Sequence, residues 1–284
     1  MIHGFRAVDE LVYHYTSSDI ALNHVLSAGT IRLGAYEQTN DPQETRSWVF
    51  ALATSGPQDL GSYAFEETSQ TFSALLKQTT KLACFSTDSG PLTGDHVSDI
   101  LNRGFAKPRM WAQYGLSHTG VCIVLNKAKL LNAVAEQFPE RLTISGPISY
   151  KNSPSLGLSS EYVLDMHQWE TLGSSAYAKK FIGLYHKPLF FQKLRDWRDE
   201  CEWRIVLWLD TPEPAYLNIE SALVGVIHGA NIDIDTSIKI AESTDDAKVT
   251  HMGLTWKNNS PWYQYEAMRW SASDRRSPWS KHAR

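Results

Sequence analysis

The chain has 284 residues, 42% of them hydrophobic, which is enough to build the core of one large domain or two small ones. A formal net charge of -4 gives no global attraction to nucleic acid or to an anionic membrane, although it leaves room for a local basic patch. Cys84, Cys122 and Cys201 form no C-x-x-C pair, which argues against a disulfide framework or a cysteine zinc site. The N-terminus lacks an apolar signal core and no run approaches the ~20 apolar residues of a membrane helix, so the sequence predicts a soluble, cytoplasmic protein.

The first pattern is a strand at Val12 to Thr16, in which a period of two puts Val12, His14 and Thr16 on one face and Tyr13 and Tyr15 on the other. Ser17, Ser18 and Asp19 can cap a helix carrying Ile20, Leu22, Val25 and Leu26, with Gly29 as its stop. Thr30 to Leu33 reads as a second strand, and Asn40 to Gln43 as a loop restricted by Pro42. Helices are expected through Trp48 and Phe50 and from about Tyr63 to Gln78. Lys81 to Ser86 reads as a buried strand that opens into a long polar loop, Thr87 to Lys107, suited to a lid or a disordered crossing.

A short helix at Met110 to Tyr114 precedes a strand at Gly120 to Leu125, a helix at Lys127 to Gln137 and a strand near Leu142 to Tyr150. Helical material is expected from Glu161 to Lys180, then a polar turn bearing Trp197, then strands at Trp203 to Trp208, Leu223 to His228 and Lys248 to Trp256. The mixture predicts an α+β fold with mixed, mostly antiparallel central sheets and surrounding helices. One domain over 1–258 and a C-terminal tail over 259–284 are expected, the stretch Arg269 to Arg284 holding five basic residues and one acidic one.

Two clusters could carry chemistry. His14 points where an apolar side chain belongs, so it either satisfies a hydrogen bond inside the fold or faces a ligand. Glu200 and Glu202, one residue apart at the mouth of a strand, share a side of an extended chain. They could grip adjacent hydroxyls of a sugar and stabilise positive charge at an anomeric carbon, or pair with Arg195, Arg198 or Arg204 in a surface network. Trp111 and Tyr114, three apart on a helix, fit either a core or a stacking platform. Arg32 could meet an anion, and Asn40, Asp41 and Glu44 are chemically able to bind a metal, although no metal site is predicted from one short acidic loop. Walker, G-x-G-x-x-G, G-x-S-x-G and H-E-x-x-H motifs are missing.

The series "YHYTS", "GTIRL", "NDPQE", "ACFS", "MWAQYG" and "WRDECEWRIVL" resembles, in order and spacing, the bacterial family catalogued as domain of unknown function 2971, over roughly Leu11 to Gly229. More distantly, the strand histidine followed by threonine, the helix, "GTIRL" and the late Glu-x-Glu are similar to the ADP-ribosyltransferase superfamily. That second resemblance implies an enzyme cleaving the nicotinamide-ribose bond of NAD, with NAD as substrate and a macromolecule, protein or nucleic acid, or water as acceptor. It implies Glu202 as the catalytic carboxylate, Glu200 as its neighbour, His14 and Thr16 on the dinucleotide, and Tyr36, Trp111 and Tyr114 as the aromatic contacts. A part in microbial defence or toxicity is a further implication. A non-catalytic binding or regulatory domain and a metal-dependent nuclease using Asp41, Glu44, Glu200 and Glu202 are the rival readings.

Overall fold

A computed structural model of the chain describes residues 10–152, 159–244 and 249–263. Ten strands form one sheet: β1 (Leu11–Thr16), β2 (Thr30–Ala35), β3 (Thr80–Ser86), β4 (Val121–Asn126), β5 (Thr143–Pro147), β6 (Glu202–Trp208), β7 (Ala215–Asn218), β8 (Leu223–His228), β9 (Thr250–Lys257) and β10 (Ser260–Tyr263). The main path runs β7-β2-β3-β1-β4-β8-β9-β10, and β6 pairs with both β3 and β5. All these ladders are antiparallel except β8 with β9. The fold is therefore α+β, with a mixed, largely antiparallel sheet and helices around it.

Four longer helices cover the sheet: α1 (Phe65–Thr79), α2 (Lys127–Gln137), α3 (Ser174–Phe190) and α4 (Ile234–Glu242). The amide oxygen of Asn126 starts α2 by accepting from Lys129 N at 3.0 Å, and the Asp233 carboxylate does the same for α4 through Thr236 N at 2.9 Å. Leu130 and Val134, one turn apart, bury one stripe of α2 against Val12, Phe85, Ile123 and Ile205, a core that α4 completes through Ile240. On the opposite side α1 and α3 enclose Phe50, Phe72, Leu76, Phe181 and Phe190 over Val206 and Trp208. A third cluster joins Tyr13, Tyr15, Val124 and Ile227 to Phe105 and Trp111.

Several expectations are corrected. No helix passes through Trp48 and Phe50; a single helical turn, Pro42–Thr45, gives way to extended chain and a short strand, Ala51–Ala53. Two serines of α1 explain this, since Ser73 and Ser69 take the backbone N–H groups of Trp48 and Phe50 at 2.9 Å each. The aromatic pair follows a period of two: Phe50 is fully buried while Val49 is 67% exposed.

The helix after β1 is wound as a π-helix over Ala21–Leu26. The material from Glu161 onward divides into a strand, Val163–Asp165, a short helix, Met166–Leu172, and α3, with Gly173 at φ +79° between the helices. Residues 87–107 are an ordered crossing. Asp99 there accepts from Thr93 N and Gly94 N, and Ile100, Phe105 and Ala106 are buried. β7, α4 and β10 were not anticipated. β10 forms a hairpin with β9 through Asn258 and Asn259, both at positive φ, and lies beyond residue 258. The basic stretch Arg269 to Arg284 lies outside the described residues.

A hydrogen-bonded chain ties α4 to β8 and β9. Ser237 Oγ meets His228 Nδ1 at 2.9 Å, His228 Nε2 meets His251 Nδ1 at 2.9 Å, and His251 Nε2 meets Thr244 Oγ1 at 2.7 Å. Burial first, and the neighbouring imidazole second, pull the His228 pKa down to about 3. The unfolded chain takes up a proton near the ordinary imidazole value, about 6.5, that the fold refuses. Stability from this group is thus complete above that value and declines as pH falls from it toward 3. Unfolding free energies from urea titrations between pH 7 and pH 4 should fall less steeply for His228→Gln than for wild type, the difference approaching one proton's worth of slope, about 1.4 kcal/mol per pH unit.

Candidate functional site

The site begins with an interruption in hydrogen bonding. Along one side β3 pairs with β6 over its whole length, from Thr80 opposite Trp208 to Ser86 opposite Glu202. Along its other side it meets β2 only at Lys81 and Leu82, and β1 only at Ser86. Residues 83–85 therefore lack a ladder partner there, and the sheet opens into a cleft of about 300 Å³. His14 stands in the opening, where its Nδ1 lies 3.1 Å from the carbonyl oxygen of Cys84. A carbonyl can only accept, so Nδ1 carries the proton and Nε2 keeps a lone pair. Burial lowers the pKa of the ring, which favours this neutral form. The histidine both replaces a missing strand partner and lines the cleft.

The cleft wall is a buried ion network. Arg204, fully buried on β6, donates through Nε to Glu202, through Nη1 to the Phe190 carbonyl at 2.9 Å, and through Nη2 to Glu44 at 3.0 Å and Glu202 at 3.3 Å, and its Nη1 also forms an ion pair with Glu44 at 2.7 Å. All three guanidinium nitrogens are thus engaged. Lys193 lies between the two glutamates, 2.7 Å from Glu202 and 3.0 Å from Glu200, and its ammonium faces the Trp197 ring at 5.1 Å. Tyr114 donates to Glu200 at 2.9 Å, and Tyr150 accepts the backbone N–H of Glu202 at 2.9 Å.

The two glutamates reach Lys193 by different routes. Glu200 ends a 3-10 turn, Arg195–Glu200, whereas Glu202 begins β6, and Cys201 between them is left-handed at φ +43°. They do not share one side of a continuous extended chain, as the sequence suggested; the bend at Cys201 brings them together. Ser86 and Thr87 secure that bend by donating to the carbonyls of Glu200 and Cys201 at 2.8 and 2.9 Å.

Three carboxyl groups, those of Glu44, Glu200 and Glu202, share two cations. Burial opposes ionisation of Glu202, but Arg204 and then Lys193 outweigh it and hold the pKa near 2. For Glu200 burial prevails, the charge of Glu202 adds to it, and the pKa is raised despite Lys193. One wall thus presents a carboxylate whose ionised form is favoured beside one that binds a proton more readily.

Of the residues singled out from sequence, His14, Arg32, Asn40, Glu44, Tyr114, Glu200, Glu202 and Arg204 line this one cleft. The others lie elsewhere. Thr16 is buried at the far end of β1, opposite Val121. Trp111 is fully buried, donates to the Phe105 carbonyl at 2.7 Å and packs edge-on to Tyr15 at 5.1 Å. Tyr36 is buried against Phe190 at 5.0 Å, and its hydroxyl shares its one proton between Glu44 at 3.2 Å and the Leu189 carbonyl at 3.1 Å, so it braces Glu44 from behind.

Asp41 caps the Pro42–Thr45 turn by accepting from Gln43 N at 2.9 Å, and this turn delivers Glu44. Lys193 escaped the sequence reading because no local pattern marks it, and Arg204 was foreseen only as a surface partner. Its alternation with Glu202 among strand residues was the available signal for burial on the same face. Among the described residues no group of three or more His, Cys, Asp or Glu side chains is placed to hold a metal ion. No described helix is long and apolar enough to cross a membrane.

The family described as "Protein of unknown function (DUF2971)" matches the chain over residues 110–205. Over that stretch the chain is similar to the DUF2971 family. The DUF2971 segment supplies Tyr114, Lys193, Glu200, Glu202 and Arg204, while His14 and Glu44 come from outside it. No curated protein and no solved structure matches the chain, and the ADP-ribosyltransferase resemblance gains no support from these comparisons.

Removing Arg204 should be severe, because it leaves the buried Glu44 without its cation and Glu202 with Lys193 alone. Arg204→Met is expected to cost about 3–5 kcal/mol in denaturant unfolding. Arg204→Lys should recover only part of that loss, since a lysine lacks the planar fork that engages both glutamates.

Proposed function

We propose that the cleft binds NAD and cleaves its nicotinamide-ribose bond, passing ADP-ribose to a macromolecular acceptor or to water. The observation that carries this reading is the convergence of His14 and the Glu200/Glu202 pair on one cleft at the opening of the sheet. The bond between the ring nitrogen and the anomeric carbon breaks with its electron pair going to neutral nicotinamide, so positive charge develops on the ribose. Glu202, held ionised by Arg204 and Lys193, is suited to stabilise that charge. An incoming O–H or N–H nucleophile bonds to the same carbon and gives its proton to Glu200, whose raised pKa suits a base. Nε2 of His14 can accept from a ribose hydroxyl, and Tyr114 steadies Glu200.

A second reading, a binding domain without catalysis, is favoured by the saturation of Glu202: Arg204 takes both of its oxygens and Lys193 one of them. Nicotinamide release by purified protein separates the two. Wild type should release nicotinamide from NAD, and Glu202→Gln should reduce turnover on the order of 10²-fold or more with NAD binding little changed. Glu200→Gln should impair transfer to an acceptor more than hydrolysis, and His14→Ala should weaken binding. A wild type that neither binds NAD by calorimetry nor releases nicotinamide, with protein and nucleic-acid acceptors supplied, would leave the binding domain as the better account.

A further inference from the structure

The cleft is lined by three cations, and only two of them are committed to carboxylates. Arg204 and Lys193 are neutralised by Glu44, Glu200 and Glu202. Arg32, exposed on β2 and lining the same cleft, is held by a neutral group, the Gln38 amide oxygen, at 2.9 Å. Among the described residues no carboxylate is placed in an ion pair with it. Holding an arginine through an amide orients the guanidinium and leaves its charge and its remaining donors in place, which is the arrangement that receives a planar or tetrahedral oxyanion.

A second observation falls on the turn that supplies Gln38. Thr39 follows Gln38, lines the cleft, and has a buried hydroxyl with no hydrogen-bond partner. A buried hydroxyl is ordinarily satisfied, so one left unmatched among the described residues beside a cleft is a candidate donor to a ligand there. Asn40, next in the chain and also on the wall, adds an exposed amide. Glu44 lines the cleft too, but Arg204 bonds both of its oxygens. Glu37, exposed on the same turn, is not part of the wall.

We propose that Arg32 and Thr39 form a subsite for phosphate oxygens, so that the ligand of this cleft is a phosphate or diphosphate ester whose sugar end reaches the glutamates. This rests on the cleft reading proposed above and adds its substrate class: a dinucleotide is taken and the corresponding phosphate-free riboside is refused. Neighbouring carboxylates would repel the same phosphate, so the arginine sets where along the cleft it can lie.

Calorimetry on the whole chain with inorganic pyrophosphate, ADP, adenosine, NAD and nicotinamide riboside tests it, using wild type, Arg32→Gln, Arg32→Lys and Thr39→Val. Wild type should bind ADP and NAD about tenfold or more tighter than adenosine and nicotinamide riboside, the scale of one charge-assisted contact. Arg32→Gln should erase that difference and leave the phosphate-free ligands within about twofold of wild type. Thr39→Val should weaken only the phosphate-bearing ligands, and Arg32→Lys should restore part of the preference. Pyrophosphate binding that is lost in Arg32→Gln would identify the diphosphate itself as the recognised group, and pyrophosphate silent beside tight ADP would assign recognition to the ester.

Equal binding of phosphate-bearing and phosphate-free probes, no binding of any phosphate probe, or an Arg32→Gln variant that retains the preference would overturn the subsite. Nicotinamide release unaffected by Arg32→Gln would overturn the subsite while leaving NAD cleavage standing. Phosphate preference in a protein that releases no nicotinamide would do the reverse.

Discussion

An arginine with no exposed surface and all three guanidinium nitrogens engaged is the constraint around which this molecule is organised. Taking a guanidinium out of water costs several kcal/mol, and that cost is offset only where its N–H groups all find acceptors. Arg204 finds them on three separate parts of the chain: the turn at Glu44, the end of α3 at Phe190 and its own strand at Glu202. Each acceptor must be held in place, and much of the surrounding structure does so. Tyr36 braces Glu44, Lys77 binds the carbonyls of Glu44 and Arg46, and Lys193 neutralises the outer side of Glu202.

The opening of the sheet follows a compatible logic. A closed ladder along β3 would have filled the space in front of Arg204 and Glu202 with backbone. Instead β2 and β1 each touch β3 at one end, and a side chain from β1 satisfies the carbonyl left between them. The fold tolerates the gap because its most exposed consequence, an unmatched carbonyl at Cys84, is met by an imidazole at the cost of one polar position on a strand. The same imidazole presents its other nitrogen as an acceptor on the cleft wall.

Much of this was legible in the residues. The alternation in Leu11 to Thr16 singled out His14 as polar on an apolar face, and Glu202 opening an apolar strand marked the second wall. Helices α1 and α2 were read at close to their observed bounds. What was hidden depended on partners remote in sequence. Glu44 and Arg204 are 160 residues apart, and nothing near either position distinguishes a buried pair from two surface charges. Trp48 and Phe50 fit a helix by composition, and only Ser69 and Ser73, reaching across from α1, fix them as extended. Trp111 and Tyr114 look equivalent on a short helix, yet the tertiary packing sends one to the core and the other to Glu200.

The left-handed residue at Cys201 separates the control of the two carboxylates. Glu202 takes its direction from the pairing of β6 with β3, which fixes it as long as the sheet exists. Glu200 takes its direction from the 3-10 turn before the bend, whose side chains other than Glu200 are largely at the surface. Over evolutionary divergence, lengthening or shortening that turn relocates Glu200 while the ladder keeps Glu202 where it is. One acidic group thus moves with its turn while its neighbour stays anchored to the sheet.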